Sequence, residues 1–344
     1  METLSHEARA RLLPGRPEGD EEALRRALAA LRYTPEGAPT AHFELSAPLG
    51  WQWQPRAESP PVPGLLVSLA EPGGRGRVLV SMDEVPRELS PADWALMRLE
   101  ERGHTLLASK SEYTPLGAVA DLLTRASPPS GPVLARTNMA KAGRRIFLVT
   151  CEAPEDEYPR WAPLFYIALA TFRALHRGDA ALAEPLDKYL HIHPAVVGFS
   201  YPASLQLIED IRSRDEHALR LVDPAAPGED TALHPTLTLR SLAGARPRRL
   251  ATEHIERARK SGARFDDLPD LAPLPPPDLF EAASGLDLTG SSPSGDIALR
   301  LAVFESEAGA VLLACDGPAR ARAPFGWAVG RRAFEIVRDT LFLV

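Results

Sequence analysis

The chain has 344 residues and a formal net charge of −7, with 44% of its residues hydrophobic and 25% charged. That length accommodates two domains of ordinary size, and the composition excludes wholesale disorder and fibrous repeats. The negative balance argues against a nucleic-acid face, because the densest basic spots, Arg246 with Arg248 and Arg249 and then Arg331 with Arg332, are short enough to be solvated surface.

The first residues lack the basic start and apolar core of a secretory signal, and no apolar run approaches the roughly 20 residues that cross a bilayer. A cytoplasmic location with no membrane span is the expectation. Asp20 followed by Glu21 and Glu22 reads as an N-cap with an acidic first turn, and Leu24, Ala27, Leu28 and Leu31 form one apolar stripe. Together they predict a short amphipathic helix ending near Tyr33, whose role is packing on the domain behind it or docking on a partner.

From Pro39 the period changes. Phe43, Leu45 and Ala47 alternate with His42, Glu44 and Ser46, the mark of a half-buried strand, and Pro48 to Gly50 interrupt it before Trp51 and Trp53. Strands are expected over residues 64–70 and 77–83. Ser90, Pro91 and Asp93 then combine an N-cap, a first-turn proline and an acid for a helix that Gly103 stops. Four further strands follow over residues 104–112, 116–125, 133–140 and 144–151. Pro159 opens a closing helix with Trp161, Leu164, Phe165, Ala168, Leu169, Phe172 and Leu175 on one face. Short strands joined by tight connections pair antiparallel, and the two helices can cover the resulting sheet, which gives an α+β fold.

The last third of the chain repeats this plan. Ala120-Asp121-Leu122-Leu123-Thr124, Ser130-Gly131 and Phe147 to Cys151 recur as Leu286-Asp287-Leu288-Thr289, Ser294-Gly295 and Val311 to Cys315, and Pro48 and Gly103 answer to Pro202 and Gly262. Strands are expected at 197–201, 236–242, 297–304 and 310–315, the last two joined by a turn through Glu307, Ala308 and Gly309. Helices are expected at 252–260 and from Pro324, where Trp327, Gly330, Phe334, Val337 and Leu341 share a face. Two copies of about 150 residues make a duplicated domain rather than a solenoid. The expected organisation is an N-terminal helical extension (1–36), a first copy (37–178), a linker (179–195) and a divergent second copy (196–344). Residues 266–278 of that second copy form an insert too proline-rich for regular structure, replacing a strand or crossing the surface as an extended arm.

Neither copy carries an obvious catalytic constellation. His191 and His193 have the spacing that lets two imidazoles on one strand bind a metal, and His217 or His234 with Asp210 or Asp230 would complete a site. The pair lies in the linker and outside any helix-borne zincin pattern, so no metal and no cofactor are assigned. Cys151 and Cys315, the two cysteines, end equivalent apolar strands and read as buried reduced thiols. Residues 73–77 lack the lysine and following helix of a phosphate loop and read as a hairpin turn.

The order Phe43-x-Leu45-x-x-Pro48-x-Gly50-Trp51, a helix ending at Gly103, a strand opening at Gly117-Ala118, a hairpin and the helix from Tyr158 to Leu175 resembles the PsbP-like superfamily. The resemblance covers residues 39–176 well and 196–344 more loosely; in the second copy Trp51 and Trp53 become Leu205 and Leu207. It implies a small antiparallel sheet flanked by helices, and binding of proteins rather than catalysis. Its cytosolic bacterial branch implies a chaperone that holds apolar helices of a type VI secretion effector. Such a chaperone needs an exposed apolar face, for which Trp51, Trp53 and Trp94 are the candidates, although aromatic residues at strand and helix positions more often serve as core. A structural subunit of a secretion machine and a metal-dependent enzyme using His191 and His193 are the competing expectations.

Overall fold

The computed structural model describes residues 21–55, 62–114, 117–176, 182–193, 197–224, 230–265, 269–277, 280–307 and 309–343. Asp20, Leu116, Ala308 and the ends of the proline-rich insert, residues 266–268 and 278, lie outside that set. The chain divides into two compact units, Met1–Pro86 with Ser90–Ala183 and Arg87–Leu89 with Glu184–Val344.

In the first unit the N-terminal apolar stripe is not one helix. Helix α1 (Glu21–Arg26) stops within two turns, and β1 (Leu28–Tyr33) pairs antiparallel with β2 (Phe43–Pro48), Leu31 opposite Leu45 and Tyr33 opposite Phe43. Leu28 and Leu31 therefore meet a strand partner, and pairing overrides a six-residue helix too short to persist by itself. Then come β3 (Gln52–Trp53), β4 (Leu65–Ala70), β5 (Arg77–Glu84), α2 (Pro91–Glu101), β6 (Thr105–Thr114), β7 (Gly117–Ala126), β8 (Val133–Ala142), β9 (Arg145–Pro154), α3 (Tyr158–Thr171) and β10 (Arg173–Ala174). The main sheet runs β3-β4-β5-β9-β8-β7-β6, and β1-β2-β10 form a smaller one. All of these pairings are antiparallel. Pro91 opens α2 behind Ser90, whose side chain makes no cap bond, and Gly103 (φ +78°) supplies the left-handed turn after the helix.

Strand β9 is buried along most of its length because helices cover both sides of the sheet. Trp161, Phe165, Ala168 and Leu169 of α3 lie against Val78, Val80, Val149 and Cys151. Helix α2 takes the opposite face: Trp94 Nε1 donates to Asp83 Oδ2 at 3.1 Å, and Asp83 is in phase with Leu79 and Ser81.

The second unit has β11 (Leu186–Ile192), β12 (Val197–Pro202), β13 (Gln206–Arg212), β14 (Glu216–Val222), β15 (Thr236–Ala243), α4 (Pro247–Lys260), β16 (Arg264–Phe265), β17 (Ala272–Leu274), β18 (Ala282–Ser292), β19 (Gly295–Ser306), β20 (Gly309–Pro318), α5 (Pro324–Asp339) and β21 (Phe342–Leu343). Its sheet runs β13-β14-β15-β20-β19-β18-β16, with β17 on β18 and a smaller sheet β11-β12-β21. Strand β20 alternates cleanly: Leu312 and Ala314 pack with Leu250, Ala251 and Ile255 of α4, while Leu313 and Cys315 pack with Ala333, Phe334 and Val337 of α5. Each large side chain buried in these layers contributes about 1.5–3 kcal/mol, so the two faces, more than the turns, hold the unit together. Three local expectations change. The stretch assigned to a linker supplies β11, and the proline-rich insert places Ala272–Leu274 in register with Ala283–Gly285 as an edge strand, where proline is tolerated. Helix α4 begins at Pro247, five residues before the expected start.

Candidate functional site

The three tryptophans named above stand in different settings. Trp51 is partly buried, its ring edge-on to Trp161 at 5.3 Å and to Phe165 at 6.1 Å, under α3. Trp53 lies on the short edge strand β3, 52% exposed, with one face tilted against Tyr33 at 6.3 Å. Trp94 is 7% exposed on the far side of the sheet, with the Arg98 guanidinium 4.4 Å above its ring. They form no common face; Trp53 is the one presented to solvent, and Leu49, four residues before it, is exposed as well.

The corresponding edge of the second unit is longer. Leu205 is buried and Leu207 is 39% exposed, so the pair repeats the buried-then-exposed order of Trp51 and Trp53. Strand β13 continues from there for seven residues, all of them exposed, with β14 as its one sheet neighbour among the described residues. Ile208 (49% exposed) and Ile211 (61%) add to Leu207, and a register shift between Leu207 and Glu209 breaks the alternation. An edge strand of this kind offers a row of backbone donors and acceptors beside apolar side chains.

A polar cluster pins β13 to the strands beside it. Asp210 accepts from Tyr189 Oη at 2.7 Å, from Arg212 Nε at 2.9 Å and from His217 Nε2 at 2.9 Å, and Arg212 also donates to Tyr189 Oη at 2.8 Å. The guanidinium of Arg212, followed by the Tyr189 and His217 hydrogen bonds, holds the Asp210 carboxyl well below the usual carboxylate range. His217 is fully buried, and its Nδ1 accepts the backbone N–H of His193 at 3.2 Å. Nε2 therefore carries the ring proton to Asp210, and both ring nitrogens are occupied. His191 takes φ +71° in the irregular stretch between Tyr189 and Ile192 and is exposed, as is His193. What the His-x-His spacing contributes here is a backbone amide to His217. Among the described residues no group of three or more His, Cys, Asp or Glu side chains is arranged to hold a metal. His234 turns instead to Asp223, Nδ1 to Oδ2 at 3.3 Å, and Asp230 caps the turn at Ala232.

Cys151 and Cys315 are free and buried, and burial pushes the Cys315 thiol up to about 12, so it is a neutral thiol at ordinary pH. Among the described residues no helix is long and apolar enough to cross a membrane.

No protein-family model matches the chain, and no curated protein does. Solved structures give distant likenesses. Cyanobacterial PsbP (CyanoP) from Synechocystis is 14% identical, covering 42% of this chain and 92% of that one with a TM-score of 0.35. The type VI secretion immunity protein TplEi of Pseudomonas aeruginosa is 11% identical over 86% of this chain and 97% of that one, TM-score 0.25. A chain of the Tle4–Tli4 complex is 12% identical over 93% and 98%, TM-score 0.25. Likenesses of this degree carry no inference about function, which has to come from this chain's own geometry.

Proposed function

We propose that the chain is a non-enzymatic protein-binding protein made of two copies of one PsbP-like α+β domain, and that it takes an extended apolar segment of its partner along the edge of β13. The observation that carries this reading is the seven-residue edge strand with every residue exposed and Leu207, Ile208 and Ile211 among them. An extended chain completes such an edge with main-chain hydrogen bonds and seats its alternate side chains on the apolar ones, which a helix cannot do. Trp53 offers a shorter surface of the same kind on β3, with the exposed Leu49 in the turn before it. The partner class we favour is a secreted effector, held before export; an effector neutralised in an immune cell would use the same edge.

Tagged protein purified from its own cells, with the co-purifying chains identified by mass spectrometry, tests the reading. A near-stoichiometric partner that is lost from Ile208→Glu/Ile211→Glu, while the melting temperature is unchanged, is the expected result. Retention of that partner by the double variant refutes the β13 assignment. A chain that purifies alone with bound metal and turnover refutes the whole proposal.

A further inference from the structure

A cavity of about 180 Å³ lies in the second unit between α5 and the β18-β19-β20 face, with Asp287, Ala298, Arg300, Cys315, Gly317 and Gly330 among its walls. The first unit shows what stands at the same places. On the ladders Arg136 opposes Cys151 and Leu123, as Arg300 opposes Cys315 and Asp287. Leu134 opposes Ala153, as Ala298 opposes Gly317. The helices are aligned by one repeated contact: Ser46 N donates to Thr171 Oγ1 at 2.9 Å, and Ser200 N to Thr340 Oγ1 at 2.9 Å. Counting back from those threonines sets Trp161 against Gly330 and Tyr158 against Trp327.

The walls therefore differ in one direction. Leu123, Leu134, Ala153 and Trp161 of the first unit correspond to Asp287, Ala298, Gly317 and Gly330 of the second. One exchange is partly offset, since Gly76 beneath Trp161 corresponds to Pro235, whose Cβ would be only 2.6 Å from a Cβ added at Gly330. The others leave space. Tyr158, 1% exposed, packs inward on Phe165 at 5.9 Å with Arg136 and Cys151 beside it, whereas Trp327 stays partly exposed at the rim between the guanidiniums of Arg320 (5.8 Å) and Arg331 (5.4 Å).

We infer that this cavity is a binding site for a single aromatic ring bearing a hydroxyl group. An engineered apolar cavity of about 150 Å³ accepts benzene, so the volume suits one ring. Gly317 on the sheet gives a wall without a side chain, Gly330 lets the helix close down on Pro235 and Cys315, where a Cβ would fall 2.6 and 3.1 Å from them, and the Cys315 sulfur on the lining suits a ring. The bidentate pair of Arg300 with Asp287, at 2.7 and 2.9 Å, puts a donor and an acceptor on one wall for the hydroxyl. The first unit supplies its own ring of this kind, Tyr158, at the corresponding position. The ring comes either from a free phenolic molecule or from a tyrosine of a bound chain, and the site does not depend on the β13 proposal.

The test uses the full chain labelled with 5-fluorotryptophan, in which Trp327 is one of five tryptophans, and follows its fluorine resonance against phenol, N-acetyl-tyrosinamide and cyclohexanol. Phenol should move the Trp327 resonance saturably with a Kd of about 1 mM, the range open to so small a ligand. Ala298→Leu, and separately Pro235→Gly/Gly330→Trp, refill the space with the first unit's residues and should weaken phenol at least tenfold; Ile208→Glu/Ile211→Glu should not. Comparable binding of N-acetyl-tyrosinamide assigns the ring to a protein chain, and binding of phenol alone assigns it to a free molecule. No saturable shift with phenol, equal affinity in both refilled variants, or equal binding of cyclohexanol overturns the inference.

Discussion

Acid should destabilise the first unit through His104. The ring is 7% exposed at the mouth of β6, its Nδ1 within 3.0 Å of Thr124 Oγ1, and burial, followed by the nearby Arg102 guanidinium, brings it from 6.5 down to about 4. The other charges around it, Arg77 and Arg102 at 3.7 and 3.5 Å from the Glu152 carboxylate, are paired. A histidine depressed in the folded state is protonated first in the unfolded chain. Its contribution is therefore fully present above about pH 6.5, falls as the pH drops towards 4, and is constant below. At about 1.4 kcal/mol per unit the whole shift is worth roughly 3 kcal/mol, and roughly 2 once water at the ring's edge is allowed for. His104→Asn keeps a side chain able to bond Thr124 and removes the titration. Urea unfolding of both proteins at intervals from pH 7 to 4 should show wild type losing about 2–3 kcal/mol more than the variant, and the His104 ring resonance should titrate near the lower end of that range. Parallel pH profiles, or a His104 midpoint near 6.5, would refute the assignment of the shift to burial.

Three further perturbations read other parts of the structure. Phe43→Ala empties a fully buried site ringed by Tyr33, Phe172 and Phe147 at 5.1, 5.6 and 6.5 Å, and should cost about 3–5 kcal/mol in urea unfolding; a loss under about 1 kcal/mol would mean the ring does not organise that core. Asp210→Ala removes the acceptor of the buried His217 Nε2 and should cost about 1–3 kcal/mol, with Asp210→Asn nearer wild type because its carbonyl still accepts; equal loss in the two variants would place the stabilisation in the charge. Gly64→Ala sets a Cβ 2.1 Å from the Met82 carbonyl oxygen at φ +63°, and should lower stability by at least about 2 kcal/mol, measured by calorimetry.

Six of the seven strands of the first unit's main sheet and four of the five helices among the described residues could be read from the chain because their signals are local, whereas β13, β14, β16, β17 and β18 of the second unit carry no such expectation. Alternation at Phe43, Leu45 and Ala47 survives as the burial pattern of β2, and proline after a capping residue starts α2 where expected. Two of the failures lie where two periods compete, although β14 alternates cleanly and is missed all the same. Leu24, Ala27, Leu28 and Leu31 fit a helix, yet Leu28 and Leu31 pair with Pro48 and Leu45 of a strand distant in sequence. In β13 the spacing of Leu207, Ile208 and Ile211 fits neither strand alternation nor a long helix, because the register shift after Leu207 takes one residue out of phase. The same irregularity hid the candidate interface, since an exposed apolar edge and a buried one have the same composition.

The cavity was hidden for a different reason. Sequence likeness sets Asp121 against Asp287, because each lies in an Asp-Leu motif and each carboxylate binds the arginine that opposes a cysteine. The ladders put them on different rungs. Asp287 is directly opposite Arg300, while Arg136 is directly opposite Leu123 and is reached by Asp121 from the next same-face position along the strand. Moving the carboxylate by two residues keeps the ion pair and keeps the face, so the charge pattern looks conserved between the halves. What it changes is the residue beneath the helix: a leucine in the first unit gives way to an aspartate in the second, and the apolar volume that leucine filled is open. An alignment that matches charges scores such a shift as identity, and only the pairing register exposes it as a loss of packing.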